Sequence, residues 1–224
     1  MKTETSSEIA LKYKRKFPRI GHLPNSKGLT KDDRKNDIFC PSGPILMTEK
    51  MDGECTVIGY DYVHARSLDS DQSAKWRRDI NYIARKLFCN IPPEMRIIGE
   101  NLYACHSIRY SHVPLFQVFM ITDKFGVLSW EETMEWCELL NLETVPVILN
   151  SAMPRGLPER VWKDAFNEEH HEGYVLRNAD EFLEADWDEN IAKYVRANHV
   201  QTDEHWTKKW EKNEVYVSGV DKWH

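Results

Sequence analysis

The sequence predicts an α+β fold with mainly antiparallel sheets flanked by helices, on three observations. Short runs rich in β-branched and aromatic residues recur along the chain. Amphipathic helical stretches separate them, but without the regular strand–helix alternation of a doubly wound sheet. The chain has 224 residues, 41% hydrophobic and 29% charged, an ordinary soluble composition with length enough for a sizeable core.

The elements follow in order. GPILMTEKM (43–51) and CTVIGYDYVHARS (55–67) read as two strands about a turn at Asp52-Gly53. DQSAKWRRDINYIARKLFCN (71–90) reads as an amphipathic helix. Trp76, Ile80, Ile83, Ala84 and Leu87 share one face, while Arg77, Arg78, Arg85 and Lys86 fall mostly elsewhere. MRIIGENLYACHSIRY (95–110) and PLFQVFMITD (114–123) look like strands. SWEETMEWCELLN (129–141) opens with a capping box, Ser129 with Glu132. TVPVIL is a short buried strand, PERVWKDAF a helix with proline near its start, and EGYVLRN and AKYVRAN complete the set.

Charge is spread unevenly. Net charge is −6, yet residues 1–36 carry ten Lys or Arg against four Asp or Glu, which leaves −12 on the rest. A basic segment on an acidic body suits a polyanion partner, although residues 1–16 also read as a solvated tail. FPRIGHLPNSKG, with its prolines and glycines, reads as an ordered loop leading into the core. No run of about 18 apolar residues is present, so no transmembrane helix is expected. The N-terminus lacks a secretory apolar stretch, and the five cysteines stand singly, so a reducing cytoplasm is the expected setting.

Lys50 poses the chemical question: a cation at the end of a strand, beside Asp-Gly, with Glu49, Asp52 and Glu54 around it. Three more pieces bear on it: GENLY (99–103), EGYVLR (172–177) and KYVR (193–196), with Lys193 lying 21 residues after Glu172. In this order and spacing the four pieces resemble the signature of the covalent nucleotidyltransferases, the superfamily of ATP-dependent polynucleotide ligases and mRNA capping enzymes. The flanks FPRIGHLPNSKGLTKDD, HARSLDS and NHVQTDEHW resemble the RNA ligase branch, the T4 RNA ligase 2-like proteins of phage and their relatives.

The resemblance implies a nucleotidyltransferase domain over residues 17–206, a basic segment before it and a short extension over 207–224 with no separate C-terminal domain. It also implies an ATP-dependent RNA ligase that joins a 3′-hydroxyl to a 5′-phosphate through AMP carried on Lys50, acts as a monomer on RNA ends and needs Mg²⁺ or Mn²⁺. By resemblance Glu172 is the metal-side carboxylate, Glu100 binds the ribose hydroxyls, Glu49 lies beside the adenine, and Lys193 neutralises the α-phosphate. Arg66 contacts the ribose or phosphate side, and Asp52 and Gly53 belong to the same nucleotide site. Phe119 is expected to stack on adenine, since Phe116 and Phe119 fall on opposite strand faces. The family's second motif lysine is Val195 here, with Arg196 next to it as the candidate substitute. An mRNA guanylyltransferase and a non-catalytic RNA-end-binding protein are the alternatives.

The residue chemistry points the same way. An attacking amine must be neutral, whereas free lysine titrates near about 10.4, so burial or nearby cations are expected to lower Lys50. Carboxylates beside it make sense as ligands for a hard cation. Glu100 and Glu172 also read as strand-end carboxylates paired with Arg109 and Arg177. His170 and His171 read as loop residues, and His22, His64, His106 and His199 have no ligand spacing and receive no role.

Overall fold

In the computed structural model residues 3–31, 33–151, 157–166, 170–197 and 210–218 are described. His199 and the NHVQTDEHW flank lie outside them. The strands are β1 (Ile45–Lys50), β2 (Glu54–Ile58), β3 (Val63–Ala65), β4 (Arg96–Asn101), β5 (Ala104–Cys105), β6 (Ser111–Pro114) and β7 (Phe116–Thr122). Then come β8 (Glu143–Thr144), β9 (Val147–Ser151), β10 (Gly173–Asn178), β11 (Ile191–Val195), β12 (Glu211–Lys212) and β13 (Glu214–Tyr216). The longer helices are α1 (Ser6–Tyr13), α2 (Arg78–Leu87), α3 (Trp130–Leu140) and α4 (Leu157–Ala165).

Two sheets make the body. The first has the order β11-β10-β1-β9, all antiparallel, and the second the order β3-β2-β4-β7-β8, antiparallel except for β7 with β8. The mixed α+β architecture is thus as expected. The outer face of the second sheet packs on α2 and α3 through Ile80, Ile83, Ile97, Phe116, Val118 and Cys137, all buried. The outer face of the first sheet buries Met47, Tyr174, Leu176 and Tyr194 against Trp162 of α4.

The two strands expected about Asp52-Gly53 form, but they do not pair with each other as a hairpin would. β1 and β2 pair in different sheets, so the chain steps from one sheet to the other at Met51–Gly53. Local turn chemistry is overridden by long-range anchoring. Asp52 Oδ2 accepts from Ser107 N (2.7 Å), Ser107 Oγ (2.7 Å) and Ile108 N (2.9 Å), and Asp52 N donates to Tyr110 Oη (2.9 Å). Gly53 is needed for close approach: a Cβ there would lie 2.6 Å from the Asn101 carbonyl oxygen. The single strand expected over 55–67 is in fact the β2–β3 hairpin, closed by Gly59 N donating to the Tyr62 carbonyl.

The helix expected over 71–90 is shorter. A 3-10 turn at Lys75–Arg77 precedes α2, and Cys89, at φ 64°, ends it. Arg77 is not on a solvated face. It is buried, and its guanidinium donates to both Glu54 oxygens, Nε to Oε2 at 2.7 Å and Nη2 to Oε1 at 2.5 Å. The capping box of α3 forms as read, and Asn141 in the left-handed region closes the helix.

The N-terminal segment is no mere tail. Thr5 and Glu8 form a capping box for α1, and Ala10 is fully buried beside Phe17 and Trp187. At the other end β12 pairs with β5 and β13 with β6, and Trp210 packs against Trp76 and Tyr103. All five cysteines are free. Among the described residues no helix is long and apolar enough to cross a membrane.

Candidate active site

Strand register builds one wall of the site. Cross-strand partners share a face, so Thr48 and Lys50 of β1, Val175 of β10 and Lys193 of β11 project together from the first sheet. The second sheet supplies Cys55, Glu100 and Phe119, and Arg66 follows β3. Between them lies a cavity of about 430 Å³, bounded on one side by Phe17–Ile20 and by Thr30 and Asp33. Phe119 reaches it through a bulge: Ile98 pairs with Met120 and Gly99 with Val118, which leaves Phe119 as the extra residue. Phe116 points the other way and is buried in the helical core.

Lys50 Nζ donates to Glu172 Oε2 at 2.6 Å, and the carboxylate is buried. Burial pulls the Lys50 amine down, but Glu172, Glu100 and Asp52 outweigh it and hold the amine above its ordinary value. The expected lowering of Lys50 is not seen in these surroundings: Glu172, the partner at 2.6 Å, leads in keeping an ammonium here. Burial pushes the Glu100 carboxyl up to about 8, against the pull of Lys50. Its Oε1 accepts from Gly53 N at 3.1 Å. Gly173, beside Glu172, admits no side chain, because a Cβ would lie 1.9 Å from the Tyr194 carbonyl oxygen.

Lys193 lines the cavity, and burial together with Lys50 lowers its amine to about 8. Arg66 lines it too, with Nη1 buried and lacking a hydrogen-bond partner among the described residues. Glu49 borders the cavity, but its carboxylate accepts from His171 Nδ1 at 2.7 Å. Alternation along β1 sends Glu49 and Lys50 to opposite faces, which explains why Glu49 meets His171. Asp52 and Gly53 shape the turn and do not line the cavity. Neither does Arg196, whose Nε donates to the His171 carbonyl at 3.1 Å, and Val195 is buried. The alternative carboxylate pairings are absent: Arg109 pairs with Glu211, and Arg177 is buried, donating to the Asn178 and Leu128 carbonyls.

The sequence profile of the RNA ligase family matches residues 43–195, which include every strand of the first sheet and every strand that faces it across the cavity. The chain belongs to the RNA ligase family. No curated protein sequence matches this family member significantly. Two structures named Archaeal ATP-dependent RNA ligase, form 1 and form 2, each superpose with a TM-score of 0.52, at 18% and 16% identity. They cover 81% and 82% of this chain, and the chain covers 48% of each. The structure named "Putative ATP-dependent DNA ligase from Aquifex aeolicus" gives 0.51 at 20% identity, with 81% of this chain and 50% of that one covered. These likenesses show the nucleotidyltransferase fold of RNA and DNA ligases. This ligase-family chain spans about half the length of these structural relatives.

Sequence reasoning missed Asp33, His22 and His171. Asp33 Oδ1 sits 3.3 Å from His22 Nε2 and 3.8 Å from Lys193 Nζ. None of the three stands in a spacing that identifies a ligand, and the partners that bring Asp33 and His171 to the site, Lys193 and Glu49, are far away in sequence. The available signals were the reading of residues 17–28 as an ordered loop and the resemblance of the flank FPRIGHLPNSKGLTKDD, which contains His22 and Asp33, to the RNA ligase branch.

Proposed function

We propose that this chain is an ATP-dependent RNA ligase of the T4 RNA ligase 2-like kind, with Lys50 as its nucleophile. The convergence of Lys50, Glu100 and Lys193 with Phe119 on one cavity carries the reading. The volume, about 430 Å³, lies within the roughly 300–1,000 Å³ of small-molecule sites. Phe119 offers a flat apolar surface for the adenine. Glu100 would take the ribose hydroxyls, and Arg66, whose buried Nη1 lacks a partner among the described residues, would serve the ribose–phosphate side.

The Lys50 ammonium first gives up a proton, and Glu172 is an acceptor within hydrogen-bond reach. The Nζ lone pair then attacks the α-phosphorus: an N–P bond forms, and the P–O bond to pyrophosphate breaks. Lys193, across β10 from Lys50, neutralises charge on the α-phosphate. In the second step an RNA 5′-phosphate oxygen attacks the same phosphorus and frees Lys50. In the third a 3′-hydroxyl attacks the activated 5′-phosphate, and AMP leaves.

The reading includes a divalent cation beside Glu172. Mg²⁺ takes one or two carboxylates with phosphate oxygens and waters. Glu172 would be such a carboxylate; among the described residues no group of three or more His, Cys, Asp or Glu able to hold a metal occurs, so phosphate oxygens and water would supply the other ligands. A bound cation supplies charge neutralisation as phosphorus becomes five-coordinate.

Incubation with α-labelled ATP or GTP tests the reading. An AMP adduct that maps to Lys50 is the expected result. A GMP adduct would turn the reading toward a guanylyltransferase, and no adduct with either nucleotide would leave an RNA-end-binding protein.

A further inference from the structure

Asp33 enters the cavity from a loop that precedes the residues matched by the family profile. One of its oxygens is fixed by its own loop: Oδ2 accepts from Thr30 N at 3.0 Å and Thr30 Oγ1 at 2.8 Å. The other faces His22 Nε2 and Lys193 Nζ, at 3.3 and 3.8 Å.

The same loop grips the strand that carries Lys193. β11 is the outer strand of the first sheet, and residues 21–23 cover its free edge. Lys193 N donates to the Gly21 carbonyl at 2.9 Å, and Leu23 N donates to the Lys193 carbonyl at 2.7 Å. His22 is 1% exposed, and its Nδ1 is 2.8 Å from Ser26 Oγ. Ser26 Oγ in turn accepts from Val195 N at 3.0 Å. Backbone and side-chain contacts therefore converge on one lysine from a segment about 160 residues away in sequence, an ordering that must offset loop-closure entropy.

We propose, resting on the nucleotide-transfer reading above, that Asp33 is a positioning residue that holds the Lys193 amine, charged, at the cavity wall for the nucleotide's α-phosphate. A buried ammonium needs a counter-charge. Lys193 is faced by Lys50 from β1, Arg19 from the N-terminal segment, Glu172 from the start of β10, and Asp33 and His22 from the loop. Burial, then Lys50 and Arg19, push the amine down; Asp33 is the first of the two carboxylates that oppose them. Two Thr30 donors, then Lys193 and His22, overcome burial and hold the Asp33 carboxyl at about 2, so it stays anionic at working pH. Burial, with Lys193 adding to it, lowers His22 to about 4, so the imidazole is a neutral spacer.

The test uses the full chain with ¹³C/¹⁵N-labelled lysine, wild type, Asp33→Asn and Asp33→Glu; Lys193→Met assigns the signal. In the wild type the Lys193 amine should titrate near about 8, earlier in Asp33→Asn, and near the wild-type midpoint again in Asp33→Glu. In parallel, the KM for ATP in adduct formation is measured from pH 6.5 to 9. Asp33→Asn should raise it several-fold at the alkaline end, with the ratio to wild type closing at the acid end. Equal Lys193 midpoints in wild type and Asp33→Asn would overturn the proposal. So would a KM ratio independent of pH, which marks loop support alone. A wild type without adduct whose Lys193 midpoint still moves in Asp33→Asn would sink the nucleotide-transfer reading and leave the Asp33–Lys193 coupling standing.

Discussion

The Lys50 ammonium and the Glu172 carboxylate lie 2.6 Å apart, across the register that pairs Lys50 with Gly173. This contact explains why a lysine ends a strand without being a solvated charge. It also couples two variants. Lys50→Ala should abolish the AMP adduct and leave Glu172 buried without its counter-charge. Breaking a fully buried pair costs about 3–5 kcal/mol; here Lys50 is 23% exposed, so the loss should be smaller. Lys50→Ala/Glu172→Gln should regain stability in urea unfolding yet form no adduct. An adduct of undiminished yield in either variant would remove Lys50 from the mechanism.

Glu100 sets a pH dependence of stability. Its folded value, about 8, lies above the unfolded value of about 4.3. Between the two, the native chain holds a proton that the unfolded chain has released, so this group makes stability fall as pH rises from about 4.3 to 8. Glu100→Gln keeps an acceptor for Gly53 N and removes the titration. The stability of the variant relative to wild type should therefore climb through that window. A constant difference from pH 5 to 8 would place the proton elsewhere.

Phe119 and Phe116 should separate cleanly. Phe116 is 3% exposed in the core, and replacing it by alanine should cost about 3–5 kcal/mol of stability. Phe119→Ala should instead weaken ATP binding. Base–aromatic stacking is worth about 1–3 kcal/mol, which is roughly five- to 150-fold in Kd. Isothermal titration with ATP, beside thermal melts of both variants, reads the contrast. Wild-type ATP affinity in Phe119→Ala would make that ring a packing residue.

Glu54 and Arg77 form a two-point pair with side chains 11% and 8% exposed. Glu54→Ala should lower the unfolding free energy by about 3–5 kcal/mol, because Arg77 is left buried and uncompensated. Denaturant midpoints at low and high salt test this. A surface-type pair would lose little, and its loss would vanish in salt.

The motif residues were legible in the sequence because four short pieces, EKMDGE, GENLY, EGYVLR and KYVR, carry the family resemblance, and each lies in or beside a locally encoded strand. Lys50, Glu100, Glu172 and Lys193 follow from short patterns of that kind. The capping box at Ser129 needs only three residues of context. What stayed hidden depends on distant partners. Asp52-Gly53 looks like a hairpin turn until Ser107, Ile108 and Tyr110 claim Asp52. Arg77 looks solvated until Glu54 is brought 23 residues back to it. His171 reaches Glu49 over 122 residues, and no periodicity records such a pair.

The step between sheets at Met51–Gly53 has a mechanical consequence. Lys50 and Phe119 belong to separately hydrogen-bonded sheets, so no ladder bond spans the gap between them. Under the proposed nucleotide-transfer reading, a nucleotide with its base on Phe119 and its phosphate at Lys50 would bridge that gap. Asp52, held by Ser107, Ile108 and Tyr110, and Gly53, set against the Asn101 carbonyl, fasten the crossing strand to the second sheet, so the end of β1 is tied to both sheets where Lys50 stands.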